Sequence, residues 1–141
     1  MFDKSKLESK TIILEPIEIQ HVPELISAVE DGEHWRLWYA NVPSPTEMLQ
    51  YVHSALAAKD ELAYVVRIKA TNQIVGTTRL YNIDPVNRRA MIGYTWYSDS
   101  VRGTSVNTEC KFLLLREMFE VKQAIAVEFR THVDTTRVPV G

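Results

Sequence analysis

The chain has 141 residues, 45% of them hydrophobic and 24% charged, with a formal net charge of −2. That length predicts one domain, residues 1–141, with a hydrophobic core of its own, and that composition is ordinary for a globular protein. A slightly acidic balance argues against a ligand held by phosphate neutralisation along a basic face, so nucleic acid is not the expected partner. No apolar run approaches the length of a bilayer span, and MFDKSKLESK has no secretory apolar region, so no membrane partner is expected. Cys110 is the single cysteine and has no internal disulfide partner, which fits a reducing cytoplasm. His21, His34, His53 and His132 are scattered without ligand spacing, and no metal site is expected.

Thr11–Leu14 is a short β-branched run ended by Pro16 and reads as a first strand. Glu18–Asp31 carries Val22, Leu25, Ile26 and Val29 at helical spacing and stops at Gly32. A second helix starts with Ser44 as N-cap, Pro45 in the first helical position and Glu47 closing a capping box. Leu49, Val52 and Leu56 are its expected apolar stripe. The connector between these helices, HWRLWYANVP, is unusually aromatic.

Ala63–Ile68 and Ile74–Tyr81 read as strands joined by the turn KATN, and Arg89–Tyr97 as the next strand. Val106–Val121 is a long helix with Val106, Cys110, Leu113, Leu114, Met118 and Val121 on one face, widened by Phe112, Leu115 and Phe119. A buried, inert thiol is the expected state of Cys110. Ala124–Arg130 is the last strand. A strand, a helix and a strand at this spacing form a right-handed crossover, so the last two strands are expected to run parallel. The pattern alone gives a mixed α/β domain with an antiparallel meander and one crossover.

The loop Ser100–Ser105, SVRGTS, lies between a strand and the start of a helix. Amides left free there, together with the positive end of the helix dipole, suit a phosphate or pyrophosphate. The same residues also make a plain strand-to-helix turn, with Gly103 supplying a permissive backbone and Thr104 or Ser105 the N-cap.

The stretch GTTRLYNIDPVNRRAMIGYTWY, then SVRGTS and VNTECKFLLL, resembles motif A of the GNAT superfamily of acetyl-coenzyme A-dependent N-acetyltransferases, in particular its Rim-type, ribosomal-protein N-terminal acetyltransferase-like branch. The resemblance spans roughly residues 7–137 and implies a GNAT-like three-layer α/β fold. Its element order here would be β-α-α-β-β-β-α-β around a mostly antiparallel sheet. The family loop reads Gln/Arg-x-x-Gly-x-Gly/Ala; Gly103 is retained, whereas Ser100 and Ser105 replace its first and last positions. Met91 stands where relatives often carry glutamate.

The resemblance implies acetyl-CoA as co-substrate and direct attack of a primary amine, from a protein N-terminus or a small molecule, on the acetyl thioester. Backbone at Trp96 and Tyr97 would hold the pantetheine arm. Amides of Arg102, Gly103, Thr104, Ser105, Val106 and Asn107 would hold the pyrophosphate, with Arg102 adding charge. Glu128 is the candidate general base, against the simpler reading of an outward strand residue, and Asp84 is better explained as a turn former before Pro85. Trp35, Trp38 and Tyr39 match an acceptor-side wall or, equally, core. Arg79 and Tyr81 match acceptor-binding positions, with a strand-surface salt bridge as the alternative for Arg79.

Relatives continue after the last strand with an asparagine, a helix of the form Ser-Arg-x-Ala-Ile-x-x-Leu-Gly and two strands. This chain has TTRVPVG instead, with Thr135 near the asparagine position. The expectation is a C-terminally truncated domain lacking that helix and hairpin. Its last strand would then be an uncovered edge, open to homodimerisation. The competing functional reading is an inactive remnant that binds coenzyme A weakly or serves only protein association.

Overall fold

The computed structural model describes residues 6–32, 42–121, 126–130 and 135–139. Seven strands form one sheet in sequence order: β1 (Leu7–Glu8), β2 (Ile12–Pro16), β3 (Leu62–Ile68), β4 (Ile74–Asp84), β5 (Arg89–Tyr97), β6 (Ala126–Arg130) and β7 (Thr135–Pro139). Neighbours are antiparallel except β5 and β6, which run parallel. The helices are α1 (Val22–Glu30), α2 (Met48–Ala57) and α3 (Val106–Arg116), and the last continues into a π-turn at Glu117–Val121. The mixed α/β fold and the parallel crossover through α3 are as the sequence predicts.

Each face of the sheet carries its own core. Ile12, Leu14, Tyr64, Val66, Leu80, Ala90 and Ile92 pack beneath Val106, Cys110, Leu113, Leu114 and Met118 of α3. On the other face Val65, Ile74 and Trp96 meet Leu25, Ala28 and Val29 of α1 and Met48, Val52 and Ala55 of α2. Alternation along β3 decides this split, because successive side chains take opposite faces: Tyr64 and Val66 go to one core and Val65 to the other.

Four expectations need correction. The buried face of α2 is Met48, Val52 and Ala55, whereas Leu49 is 49% and Leu56 40% exposed. The stripe is rotated by one residue, because alanine and methionine let α2 sit close to α1 and the sheet. Phe112 does not widen the apolar face of α3; it is 58% exposed, with the Arg116 guanidinium 5.5 Å from its ring centre. The regular helix ends at Arg116 rather than Val121. Finally, β6 is not an uncovered edge: β7 pairs with it along its whole length, from Ala126↔Pro139 to Arg130↔Thr135. The β-branched Thr135, Thr136 and Val138 favour an extended chain there.

Two bulges shape β4 and β5. Arg79 pairs with Gly93 but Thr77 pairs with Trp96, so β5 carries one extra residue at Tyr94–Thr95. Tyr94 has φ of 51°, in the left-handed region. A one-residue slip exchanges the faces of a strand. Ile92 therefore lies in the α3 core while Trp96 lies in the α1/α2 core, and Tyr97 returns to the α3 side. The second extra residue is on β4, where Asn82 also has positive φ, at 50°.

Candidate cofactor and acceptor site

Among the described residues, parallel pairing of β5 with β6 runs from Arg89↔Ala126 to Ile92↔Phe129, and β5 itself continues to Tyr97. The bulge at Tyr94 begins two residues after the last pair. A bulge bends its strand and increases its twist, so β5 changes direction there as it approaches α3. The segment Gly93–Tyr97 lies immediately before the loop that leads into α3.

That loop opens with a short 3₁₀ turn, Asp99–Val101. Its amides divide into two groups. Arg102 N–H donates to the Asp99 carbonyl at 3.1 Å, Thr104 N–H to the Val101 carbonyl at 3.2 Å, and Val106 N–H to Thr104 Oγ1 at 3.4 Å. Ser100 N–H donates to Asp31 Oδ2 at 3.1 Å. The amides of Gly103 and Ser105 have no protein acceptor among the described residues. The first-turn amides of Asn107 and Thr108 lack an intrahelical acceptor as at any helix start. The amide cradle is therefore narrower than the expected run from Arg102 to Asn107, since alternate amides are engaged within the loop.

Gly103 has φ of 80°, and a Cβ placed there would meet no atom within 4 Å. The position needs glycine for its backbone and opens onto free space, which suits the approach of an anion. Two carboxylates frame this space. Asp31 holds the Ser100 amide and, through its carbonyl, the Asp99 amide at 3.1 Å. Glu109, in the first turn of α3, accepts from Thr11 Oγ1, from Ser9 Oγ at 2.8 Å and from Ser105 Oγ at 2.8 Å. These hydroxyls, Thr11 first, hold the Glu109 carboxyl below its ordinary pKa.

Tyr97 and Asn107 join strand to helix through a 3.0 Å bond from the phenol to Asn107 Oδ1. Burial raises the Tyr97 pKa far above the normal phenol range. Cys110 is buried, and burial raises its pKa to about 11. It is a core thiol, as the sequence suggests.

On the α1/α2 face an aromatic and charged cluster surrounds the bulge. Arg79 is 6% exposed and its Nη1 donates to Glu61 Oε1 at 2.7 Å. Its guanidinium lies 4.4 Å from the Tyr94 ring centre and 5.2 Å from that of Tyr51. Tyr81 is buried and meets Tyr94 edge-on at 4.9 Å. Gly93 leaves room for it, because a Cβ there would lie 2.7 Å from the Tyr81 ring. Tyr81 pairs with Met91 across β4 and β5, and Met91 pairs with Glu128 of β6, so Glu128 stands two strands from Tyr81 in one register row. Arg79 Nε and Trp96 Nε1 are buried without a hydrogen-bond partner.

The structure thus brings Trp96, Tyr97 and the Arg102–Asn107 loop together on one side of the bulge, and Arg79 and Tyr81 on the other. Trp35, Trp38 and Tyr39 lie outside the described residues. Tyr51, Glu61, Thr77 and Tyr94 escape the sequence reading. Gly93 inside a strand is the signal that could have pointed to the bulge. A cavity of about 270 Å³ opens at the start of β3, lined by Pro16, Ile17, Ala55, Leu56 and Glu61 among others, and it includes no residue of the Ser100–Ser105 loop. Among the described residues no helix is long and apolar enough to cross a membrane, and no three His, Cys, Asp or Glu side chains cluster as metal ligands.

The candidate site is thus a parallel strand pair beside a bulge that feeds an amide-bearing helix start. The model of the acetyltransferase (GNAT) domain matches residues 11–138, and the chain belongs to that family. A GCN5-related N-acetyltransferase from Brucella melitensis is 27% identical with a TM-score of 0.78, over 89% of this chain and 59% of that one. A GNAT-family protein from Chromobacterium violaceum is 22% identical with a TM-score of 0.77, over 91% of this chain and 66% of that one. RimL, a ribosomal L7/L12 alpha-N-protein acetyltransferase solved in complex with coenzyme A, is 20% identical with a TM-score of 0.71, over 89% of this chain and 73% of that one. The chain therefore spans between 59% and 73% of the lengths of these three structures. No curated protein matches the sequence.

Proposed function

We propose that this domain binds acetyl-CoA and transfers its acetyl group to a primary amine, on a protein N-terminus or a small molecule. The observation that carries the proposal is the bulged β5 running directly into the Gly103 loop. Acetyl-CoA fits that arrangement: the Gly103 and Ser105 amides and the first turn of α3 offer donors to the diphosphate. On the side away from β4, the backbone of Gly93–Tyr97 offers a strand-like track to the amide-bearing pantetheine. RimL, with a related fold, is a coenzyme A binder.

Bound acetyl-CoA would supply an activated thioester carbonyl. The amine nitrogen forms the new C–N bond, the C–S bond breaks, the amine loses a proton to a base, and the thiolate leaves and takes up a proton. The chain's task is to orient both reactants and to receive that first proton. Arg102 adds positive charge beside the diphosphate. Glu128 is the proposed base, directly or through water; Tyr81, with Trp35, Trp38 and Tyr39, is proposed for acceptor binding, and Arg79 supports that side from within the strand rather than binding the acceptor itself. Cytoplasmic residence accords with the single buried thiol.

A second reading, a weak coenzyme A binder without turnover, is favoured by one observation. The Asp31 and Glu109 carboxylates flank the loop and repel phosphate charge, while Met91 supplies no acid opposite Glu128. Incubating the chain with acetyl-CoA and a panel of amine-terminated peptides and small amines, followed by mass spectrometry, separates the two. Acetylated product lost on Glu128→Gln supports transfer. Saturable coenzyme A binding without product on any amine supports the second reading.

A further inference from the structure

Tyr94 is a bulky residue held at positive φ, in the bulge of β5. Such a conformation persists only where surroundings over-determine it. The groups that hold it come from other elements. The Arg79 guanidinium lies over its ring at 4.4 Å, and Tyr81 closes on it edge-to-face. Its carbonyl accepts from Thr77 Oγ1 at 3.3 Å, and Thr77 in turn shares a 3.2 Å hydrogen bond with the Tyr51 hydroxyl of α2. Arg79 is fixed by Glu61 at 2.7 Å and covered on another side by Tyr51.

We propose that Arg79, clamped by Glu61, is a positioning residue that locks Tyr94 in the β5 bulge and so fixes the backbone track on which the thioester is held. The second half of this statement rests on the acetyl-CoA reading above; the lock itself does not. A surface ion pair would be exposed and weakly held. Here the Arg79 end is buried and the Glu61 end partly buried, and the cation has an aromatic ring at two sides and a carboxylate at its edge. A buried charge with so few free directions is suited to holding a neighbour rather than to capturing an acceptor carboxylate. The guanidinium brings its charge to the Tyr94 ring from the buried side, while the ring itself is 43% exposed on the other.

The test combines Arg79→Met, Arg79→Lys and Tyr94→Gly with two readouts: amide hydrogen exchange of the unliganded protein and calorimetric affinity for acetyl-CoA. Arg79→Met should lower protection at residues 93–97 by about tenfold while the β2–β3 ladder keeps its protection. Acetyl-CoA affinity should fall by about tenfold in the same variant, and Arg79→Lys should recover most of both. Glycine needs no clamp at positive φ, so in a Tyr94→Gly background Arg79→Met should change affinity by less than about twofold. Equal losses in both backgrounds, or protection lost evenly across the sheet, would overturn the proposal. If Arg79→Met does not fold, Glu61→Gln takes its place: reduced protection confined to 93–97 supports the lock, and unchanged protection overturns it. A wild-type chain that binds no acetyl-CoA would defeat the functional reading and leave the exchange pattern to decide the lock.

Discussion

Gly103 and Glu109 show how single residues set the character of the loop. At Gly103 the backbone is left-handed and the space beside it is empty, so a side chain meets no protein atom but fills the volume open to an anion. Gly103→Val is expected to reduce acetyl-CoA affinity by about tenfold or more and to cost about 1–2 kcal/mol of stability through strain at positive φ. Calorimetry and chemical denaturation of the same variant measure the two effects. Glu109 carries a pH dependence. Its hydroxyl partners depress its folded pKa, so the stability it contributes is present above the pKa of a free glutamate and is lost as pH falls through the lower folded value. The melting temperatures of wild type and Glu109→Gln should therefore differ at neutral pH and converge in acid, once the pH has fallen below the depressed folded pKa. A difference that persists in acid would mean that packing, not ionisation, is responsible. Cys110 belongs at this scale too: buried, with its pKa raised to about 11, it should alkylate only as fast as the fold opens.

At the scale of elements, α2 shows both the reach and the limit of pattern reading. Ser44, Pro45 and Glu47 do start the helix, with Ser44 N–H donating to Glu47 Oε1 at 3.2 Å, because capping chemistry is local. The apolar stripe depends on what the helix packs against, and close approach to α1 made Ala55 a core residue and left Leu56 outside. Met48→Ala should cost about 2–5 kcal/mol, and Leu49→Ala about 0.5 kcal/mol or less, in urea denaturation. The reverse order would contradict the observed rotation. The Gly103 loop was legible for a similar reason: glycine and hydroxyl residues before an apolar helix are a local signal. The bulge was not, because an extra residue in β5 becomes visible only against its partner β4. The Arg79–Tyr94 contact depends on that bulge.

Across the whole molecule, periodicity and the strand–helix–strand spacing carried the mixed α/β sheet and its single parallel pair, while layers on both faces were implied only by the family resemblance. The second edge was missed because TTRVPVG is too short and mixed to declare a strand; pairing with β6 makes it one. This strand changes the expected assembly. With β7 in place the edge of β6 is covered, and removing residues 135–141 should convert a dispersed protein into an associating one. Light scattering of the two lengths checks this, and identical behaviour would show that β7 does not protect the edge. The register row from Tyr81 through Met91 to Glu128 likewise emerges only when three strands are assembled.

Hydrogen exchange of the full chain with and without acetyl-CoA tests the account most directly, because it reads the loop and the β5 edge in a single measurement. Saturable protection of residues 93–97 and of the Gly103, Ser105 and Asn107 amides is the predicted result. Protection should be lost in Gly103→Val and unchanged in Leu49→Ala. No binding, or protection that appears elsewhere while these amides exchange as before, would contradict it.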